Sequence, residues 1–230
     1  MPHHIDPLHP WNIPLTEAAA LQQELAARLV FDRPVGPIRW VAGVDGSYRR
    51  FCPDMWVAVV VWDAMTGETV EQVALTGRVP FPYVPGFLSF REGPLVLQAF
   101  ERLQHWPDAV LFDGQGIAHP RGLGLASHLG LWLDLPSVGV AKSRLCGEAV
   151  DPLDEPGAWS PLELSGRTVG AVLRTRTRCR PLYVSPGHRI DLAGALDLVQ
   201  QCLRGYRLPE PTRLAHHAVS AARRAAARTG

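Results

Sequence analysis

The chain has 230 residues, of which 47% are hydrophobic and 20% are charged, and its formal net charge is +1. This length and apolar fraction predict one globular domain over residues 1–230, with residues 221–230 as a tail that frays. No apolar run approaches the roughly 20 residues that a bilayer-spanning helix needs, and no signal-peptide pattern opens the chain. The four cysteines form no C-x-x-C pair, which argues against a zinc site or a disulfide framework. We therefore expect a monomeric cytoplasmic protein that does not enter a membrane.

Charge is distributed unevenly along the chain. Residues 1–166 carry 11 basic and 19 acidic side chains, whereas residues 167–230 carry 12 arginines and 3 acidic side chains. An arginine-rich segment with few acids is typical of a phosphate-binding face. Lys142 is the single lysine of the chain. Its compact charge can approach one oxygen as a point donor, which arginine does less readily.

The predicted elements begin with a helix over 15–30 that Thr16 caps, followed by an antiparallel meander of three strands at 38–47, 56–63 and 68–77. A Ser89-x-x-Glu92 capping box then opens a helix over 90–105. The later elements are buried strands at 109–113 and 137–141 around a helix at 121–133, a loop over 147–161, strands at 168–174 and 181–185, and helices at 191–204 and 212–228. This order predicts an α/β protein of the ribonuclease H-like type, a mixed β-sheet flanked by α-helices.

A proline-rich loop precedes the second predicted helix and carries a tyrosine. Residues 80–86 read Pro-Phe-Pro-Tyr-Val-Pro-Gly, so Tyr83 lies between prolines that stiffen the backbone on both sides. A rigid projecting ring suits a wedge that enters a stack of nucleic-acid bases. An ordinary proline-rich loop before a helix is the alternative interpretation of this segment alone.

Two aspartates end buried apolar strands, and a glycine follows each of them. Asp45 ends the run 41–45, and Asp113 ends the run 109–113. If these strands lie side by side, the two carboxylates meet, their repulsion raises one pKa, and Mg²⁺ is the natural occupant between them. Glu92 is a candidate third ligand. Such a site serves phosphodiester hydrolysis, with one or two metal ions.

Three further side chains are candidates for the same site. His119, six residues after Asp113, could transfer a proton or contact a phosphate, with a loop-stabilising role as the alternative. Lys142 follows a buried strand and could steady a phosphate. His216 is a candidate metal ligand, with a histidine on a helix surface as the alternative.

Taken together, several segments resemble the endonuclease V family, the deoxyinosine 3′-endonucleases. They are residues 44–46, 82–92 (Pro-Tyr-Val-Pro-Gly-Phe-Leu-Ser-Phe-Arg-Glu), 113–116, 119–128, 139–142 and 205–213. The resemblance implies a ribonuclease H-like enzyme that depends on Mg²⁺ or Mn²⁺. Asp45 and Asp113 would bind the metal with help from Glu92, and Tyr83 would be the wedge. His216 falls where family members carry either His or Asp.

The resemblance also implies the reaction, which is hydrolysis of the second phosphodiester bond 3′ to inosine, leaving 3′-hydroxyl and 5′-phosphate ends. A deaminated adenine pairs poorly, so its extrusion from the helix costs less than that of a paired base. Glycines let peptide groups approach hypoxanthine closely, and guanine would have to be excluded sterically by its 2-amino group. We assign the wedge to Tyr83 with Pro82, Pro85 and Gly86, and the base pocket to Gly86, Leu88, Gly114, Gly116 and Gly124.

The expected partner is DNA that contains deoxyinosine, with inosine RNA as an alternative substrate. A related nuclease acting on flaps or mismatches is one rival interpretation, and a non-enzymatic nucleic-acid binder is another. Three carboxylates facing phosphates argue against a pure binder, because they would only repel the ligand. A serine hydrolase has no support, since no G-x-S-x-G occurs in the chain.

Overall fold

The structure is a computed structural model that describes residues 3–34, 36–48, 52–79 and 81–229. Within these residues the helices are α1 (Leu15–Ala26), α2 (Leu88–Phe100), α3 (Leu125–Leu133), α4 (Leu192–Gln201) and α5 (Glu210–Thr229). The strands are β1 (Trp40–Tyr48), β2 (Asp54–Asp63), β3 (Thr69–Arg78), β4 (Ala109–Phe112), β5 (Ser137–Ala141), β6 (Trp159–Leu164), β7 (Arg167–Leu173) and β8 (Leu182–His188).

The strands form one mixed sheet in the order β3-β2-β1-β4-β5-β8-β7-β6. The first three strands pair antiparallel, which is the predicted meander. β4 runs parallel to both β1 and β5, and β8 returns antiparallel between β5 and β7. The architecture confirms the predicted α/β class, a mixed sheet flanked by helices.

Helices cover both faces of the sheet because its central strands are apolar on both sides. On one face, Ala42 and Val44 of β1 belong to a core shared with α2 and α3. On the other face, Val41 packs in a core with α4, and Ala58 and Val60 of β2 pack against α5. Successive residues of β1 therefore point alternately towards two different helix layers.

The predicted capping box of α2 is wrong. α2 begins after Phe87, and no side chain caps it. Ser89 instead lies in the first turn, where its Oγ is 2.8 Å from Nδ1 of the buried His128. The Glu92 side chain is buried and packs against Gly46 of the central strand β1. Both polar side chains make tertiary contacts that a local motif does not report.

Two other local predictions are corrected. Pro14, rather than Thr16, occupies the N-cap position of α1. The predicted loop 147–161 overlaps β6, which is an edge strand. Pro161 of β6 lacks an N–H, and a proline is tolerated in a sheet at such an edge. Residues 221–229, predicted as a tail that frays, belong to α5, and residue 230 lies outside the described part of the chain.

Two predictions from composition concerned membrane-spanning helices and the state of the cysteines. Among the described helices, none combines the length and the apolar character needed to cross a membrane. All four cysteines are free thiols, as the absence of a paired spacing predicts.

Candidate active site

Asp45 and Asp113 lie side by side where β4 ends. β1 and β4 are parallel neighbours with Val44 opposite Phe112, so the next residue along each is an aspartate. The Asp113 N–H donates to the Val44 carbonyl at 3.1 Å, which joins the two positions. The sequence prediction that Asp45 ends its strand is wrong, because β1 continues to Tyr48 through its pairing with β2. The strand that ends beside Asp45 is β4, the parallel neighbour of β1.

A glycine in β1 brings α5 close to Asp45. A Cβ at Gly43 would lie 2.1 Å from the Pro211 carbonyl, so only glycine lets the start of α5 approach this strand. Asp45 points to the same face two residues later, and His216 lies just over one helical turn beyond Pro211. The result is a hydrogen bond of 2.7 Å between His216 Nδ1 and Asp45 Oδ2. Ligand atoms of Asp45, Asp113 and His216 all lie within 4.8 Å of one another.

Glu92, on α2, approaches the end of β1 from the face of the sheet opposite to α5. Its Oε2 would be 2.9 Å from a Cβ added at Gly46, so the carboxyl packs directly on the β1 backbone. Burial, reinforced by the charges of Asp45 and Asp113, raises the pKa of Glu92 to about 8. Burial and the charge of Asp113 also raise the pKa of Asp45, with His216 and Lys142 acting in the opposite direction. With three carboxyl groups so close together, the ionisation of each is opposed by the charge of the others.

Lys142 supplies one positive charge to this group. It follows β5, whose parallel pairing with β4 places Phe112 opposite Gly139, so Lys142 lies two residues beyond the position level with Asp113. Its Nζ forms an ion pair with Asp113 Oδ2, and its side chain is 37% exposed. Lys142 therefore remains accessible to a second anionic partner from solvent.

Two cavities meet at Asp113 and Lys142. The larger has a volume of about 370 Å³, and we call it the base cavity because most of the predicted base-pocket residues line it. Its lining comprises Gln22, residues 83–86, Leu88 and Ser89 of α2, and residues 113–115, 119, 123–125 and 141–145. The smaller, the acidic cavity, has a volume of about 220 Å³ and is lined by Asp45, Gly46, Ser47, Asp113, Lys142, His216, Val219, Ser220 and Arg223. A ligand that occupies both cavities would therefore lie against the Asp113–Lys142 ion pair.

The wedge loop, residues 81–86, projects at the rim of the base cavity. Pro82, Tyr83 and Pro85 are exposed, with Tyr83 at 56%, and Pro80 lies outside the described residues. The Tyr83 ring centroid is 5.4 Å from that of Tyr48 in β1, and burial beside Tyr83 raises the pKa of Tyr48 to about 12. The Tyr83 ring is therefore supported by Tyr48 of the sheet while more than half of the residue remains exposed.

Four of the five predicted base-pocket residues line the base cavity, namely Gly86, Leu88, Gly114 and Gly124. Gly116 does not. Its N–H donates to Ser185 Oγ at 2.8 Å, and a Cβ there would lie 2.0 Å from the Pro186 carbonyl, so this glycine serves close packing on β8.

His119 has both ring nitrogens engaged. Its Nδ1 accepts from the Arg121 N–H at 3.1 Å, and its Nε2 lies 3.0 Å from the Gly86 carbonyl. Burial lowers the pKa of His119 to about 4, so the ring is neutral. These contacts favour the loop-stabilising interpretation over proton transfer.

The sequence analysis missed Gln22. This residue is fully buried and lies with Ala18 and Leu25 on the buried side of α1. A glutamine on the apolar stripe of an amphipathic helix is the signal that could have found it.

Many arginines of residues 167–230 make intramolecular contacts rather than forming a free basic face. Arg189 pairs with Asp134 and Arg213 with Glu210, while Arg207 donates to three backbone carbonyls. Arg204 also donates to carbonyl groups. Net charge therefore overstates the number of arginines available to phosphates. Arg223, which lines the acidic cavity, lies closest to the predicted chemistry.

The mixed sheet, the carboxylates at its edge and the adjoining cavity define a nuclease-type site. A sequence model of the endonuclease V family matches residues 20–217. The endonuclease V of Rhodospirillum centenum is 50% identical over 220 residues, covering 94% of this chain and 92% of the relative. The chain belongs to the endonuclease V family and is a nuclease.

Solved structures of the family have the same fold. The Streptomyces avermitilis endonuclease V is 41% identical with a TM-score of 0.89, and the match covers 94% of this chain and 96% of that chain. The Ciona intestinalis endonuclease V, solved with a 24mer DNA containing an inosine followed by a ribo-adenosine, is 22% identical with a TM-score of 0.79, over 91% and 98% of the two chains. The fold is ribonuclease H-like, as the element order predicts.

Proposed function

We propose that this protein is a DNA repair endonuclease that recognises deoxyinosine and hydrolyses the second phosphodiester bond on its 3′ side. The products would carry 3′-hydroxyl and 5′-phosphate ends. The observation that carries the proposal is that Asp113 and Lys142 line both the base cavity and the acidic cavity. A base held in one cavity therefore brings a phosphate of its own strand to the other. The inosine-containing DNA bound by the Ciona intestinalis relative supports this substrate.

Backbone groups suit recognition of the extruded base. The first N–H groups of a helix have no intrahelical acceptor, and Leu88 and Ser89 of α2 line the base cavity. Such donors match the O6 acceptor of hypoxanthine and oppose the amino group of adenine. Gly86, Gly114 and Gly124 leave room for a ring to approach the peptide groups. Tyr83, at the rim, would fill the space that the base leaves in the helix.

The acidic edge fits a divalent cation. Asp45 and Asp113 offer carboxylate oxygens, the donors that Mg²⁺ prefers and that Mn²⁺ also accepts. Their crowding with Glu92 raises the pKa of Asp45 and of Glu92, and a bound cation would favour the ionised form of these carboxyl groups. Asp45, Asp113 and Glu92 would hold it, with His216 as a further ligand or as the hydrogen-bond partner that orients Asp45. A bound cation of this kind neutralises charge developing on the phosphate and acidifies water.

The chain's own residues then position the scissile strand. Lys142, paired with Asp113, would also contact a phosphate oxygen as a compact charge. Asp45 is held by His216 on one side and by the β1 backbone on the other, so its orientation is preset. Preset charge at the place where phosphate charge develops is the largest source of rate enhancement in such sites.

The proposed function is tested with an end-labelled duplex carrying one deoxyinosine, incubated with Mg²⁺ or with EDTA. We expect a Mg²⁺-dependent nick one nucleotide beyond the bond immediately 3′ to inosine, with a 5′-phosphate on the downstream fragment. A duplex with adenine at the same position is the control. Binding without any nick would contradict the proposed reaction, and the same assay on inosine RNA would then show whether RNA is the substrate.

Arg223 is expected to contact the DNA strand at the acidic cavity. It shares a face of α5 with Ser220 and His216, whereas the exposed Arg224 lies roughly 100° further round the helix. Arg223→Gln should weaken binding to inosine DNA and reduce the slope of log K against log salt by about one, because one phosphate contact is lost. Arg224→Gln is the matched control, with the same charge change on the same helix. Fluorescence anisotropy over a KCl series measures both variants, and equal slopes would reject the contact.

Glu92 is expected to destabilise the metal-free protein as pH rises. Its carboxyl would ionise near 4.5 in the unfolded chain, whereas burial beside Asp45 and Asp113 raises the pKa to about 8 in the folded state. The stabilisation by this group is complete below pH 4.5 and is lost as pH rises through 8, with a slope of up to about 1.4 kcal/mol per pH unit. Glu92→Gln should therefore gain free energy of unfolding relative to wild type between about pH 5.5 and pH 8.5. Urea denaturation in EDTA measures the difference, and a constant difference would disprove the shift.

A further inference from the structure

The Gly86 carbonyl, at the base of the wedge loop, lies within hydrogen-bonding distance of three side-chain donors. Gln22 Nε2 lies 3.0 Å from this oxygen, His119 Nε2 3.0 Å and Arg121 Nη2 2.7 Å. The donors come from α1 and from the segment between β4 and α3. We call the three side chains and this carbonyl the Gly86 clamp.

The donor orientations in the Gly86 clamp follow from their other partners. A backbone N–H can only donate, so the bond from Arg121 N–H makes His119 Nδ1 an acceptor and leaves the proton on Nε2. Gln22 Oε1 accepts from Arg121 Nε at 2.6 Å, so the Gln22 amide group turns its NH₂ towards Gly86. The clamp therefore contains one consistent set of donors and acceptors.

Gln22 also joins the two walls of the base cavity. Its Nε2 donates to the Gly86 carbonyl in one wall and lies 3.2 Å from the Leu123 carbonyl in the other. Gln22, Gly86, His119 and Leu123 all line the base cavity. Gly86 has φ +80°, and a Cβ there would lie 2.9 Å from Arg121 Nη2, so a glycine at this position lets the clamp donors approach the carbonyl. One fully buried amide thus bonds both walls directly, alongside the contacts that His119 and Arg121 make with the Gly86 carbonyl.

We propose that Gln22 is a positioning residue that sets the width of the base cavity and, through it, the preference for hypoxanthine over guanine. This inference rests on the proposed function. Both bases present O6 and N1–H, so hydrogen bonds at that edge cannot separate them. Guanine differs only by its 2-amino group, which a cavity of fixed width excludes and a cavity of variable width admits.

The test compares Gln22→Met with Gln23→Met. Methionine keeps the length of the side chain but removes the amide, and Gln23 is the exposed neighbour on the same helix. Single-turnover rates are measured on two duplexes, with inosine or guanine opposite thymine at the same position. We expect the inosine-to-guanine rate ratio of Gln22→Met to fall by about tenfold or more, corresponding to the loss of hydrogen bonds that hold the walls. Gln23→Met should keep the wild-type ratio.

A second variant and a melting curve separate positioning from general stability. Gln22→Glu keeps the volume and the acceptor for Arg121 Nε but replaces the donor to Gly86 and Leu123, so it should lower the ratio as well. Equal losses on both substrates, or an unchanged ratio in whichever variant folds with a wild-type melting temperature, would overturn the inference. Failure of the wild type to cut inosine DNA would instead reject the proposed function.

Discussion

Asp113→Ala is expected to reduce cleavage of inosine DNA by about a thousandfold or more while binding persists. Asp113 lies at the junction of the two cavities and pairs with Lys142, so its loss would remove a proposed cation ligand and the anionic partner of the lysine proposed to contact the phosphate. Removing preset charge of this kind typically costs several kcal/mol of transition-state stabilisation, about 10³ in rate. Single-turnover cleavage and a gel-shift assay with Mg²⁺ measure the two effects separately.

The exposed Asp151 provides the matched control, because Asp151→Ala makes the same change far along the chain in a surface loop. Asp45→Ala should behave as Asp113→Ala does, since both carboxyl groups belong to the proposed cation site, where their ligand atoms lie within 4.8 Å. Full cleavage by Asp113→Ala would refute the assignment of this edge as the metal site.

Tyr83→Ala is expected to weaken binding to inosine DNA by about 5- to 100-fold and to change binding to undamaged DNA far less. The exposed ring projects beside the base cavity, and base–aromatic stacking contributes about 1–3 kcal/mol. That stacking is gained only when a base has left the helix, so undamaged DNA has little to lose. Fluorescence anisotropy on two duplexes that differ only in the inosine measures the selectivity.

Tyr206→Ala is a suitable control for the wedge. Tyr206 is 50% exposed, close to the exposure of Tyr83, but its ring packs under Arg213 at 4.3 Å and it does not line the base cavity. Its removal should leave the preference for inosine unchanged. Equal weakening of both duplexes by Tyr83→Ala would mean that the tyrosine is a general DNA contact and not a wedge.

Local pattern accounts for most of the correct sequence predictions. The strands at 109–113 and 137–141 are short apolar runs, and such runs are buried on both faces wherever they lie. The alternation of apolar and polar residues in the first three strands, together with the short turn between the second and third, predicted the antiparallel meander. Contiguous family motifs predicted Asp45, Asp113 and Tyr83 as site residues, and the structure places ligand atoms of the two aspartates within 4.8 Å of each other.

Non-local packing accounts for the errors. Ser89 and Glu92 have the spacing of a capping box, but their side chains make tertiary contacts instead. Ser89 contacts the buried His128, and Glu92 packs against Gly46 of β1. β6 is a strand because it pairs with β7 at the edge of the sheet, where the missing N–H of Pro161 is tolerated. The sequence predicted Gly116 as a base-pocket residue. In the structure this glycine allows its backbone to pack closely against Pro186 of β8, a residue far along the chain.

The sequence by itself determined the order of the elements, the central apolar strands, the acidic pair and the family, because each of these rests on residue types at short spacing. Only the tertiary structure decided that His216 contacts Asp45, that Asp113 and Lys142 join two cavities, and that Gln22 holds the cavity walls. Each of these contacts joins residues from separate elements. Their distances depend on close approaches, such as that of α5 to Gly43, which the linear order of residues does not encode locally.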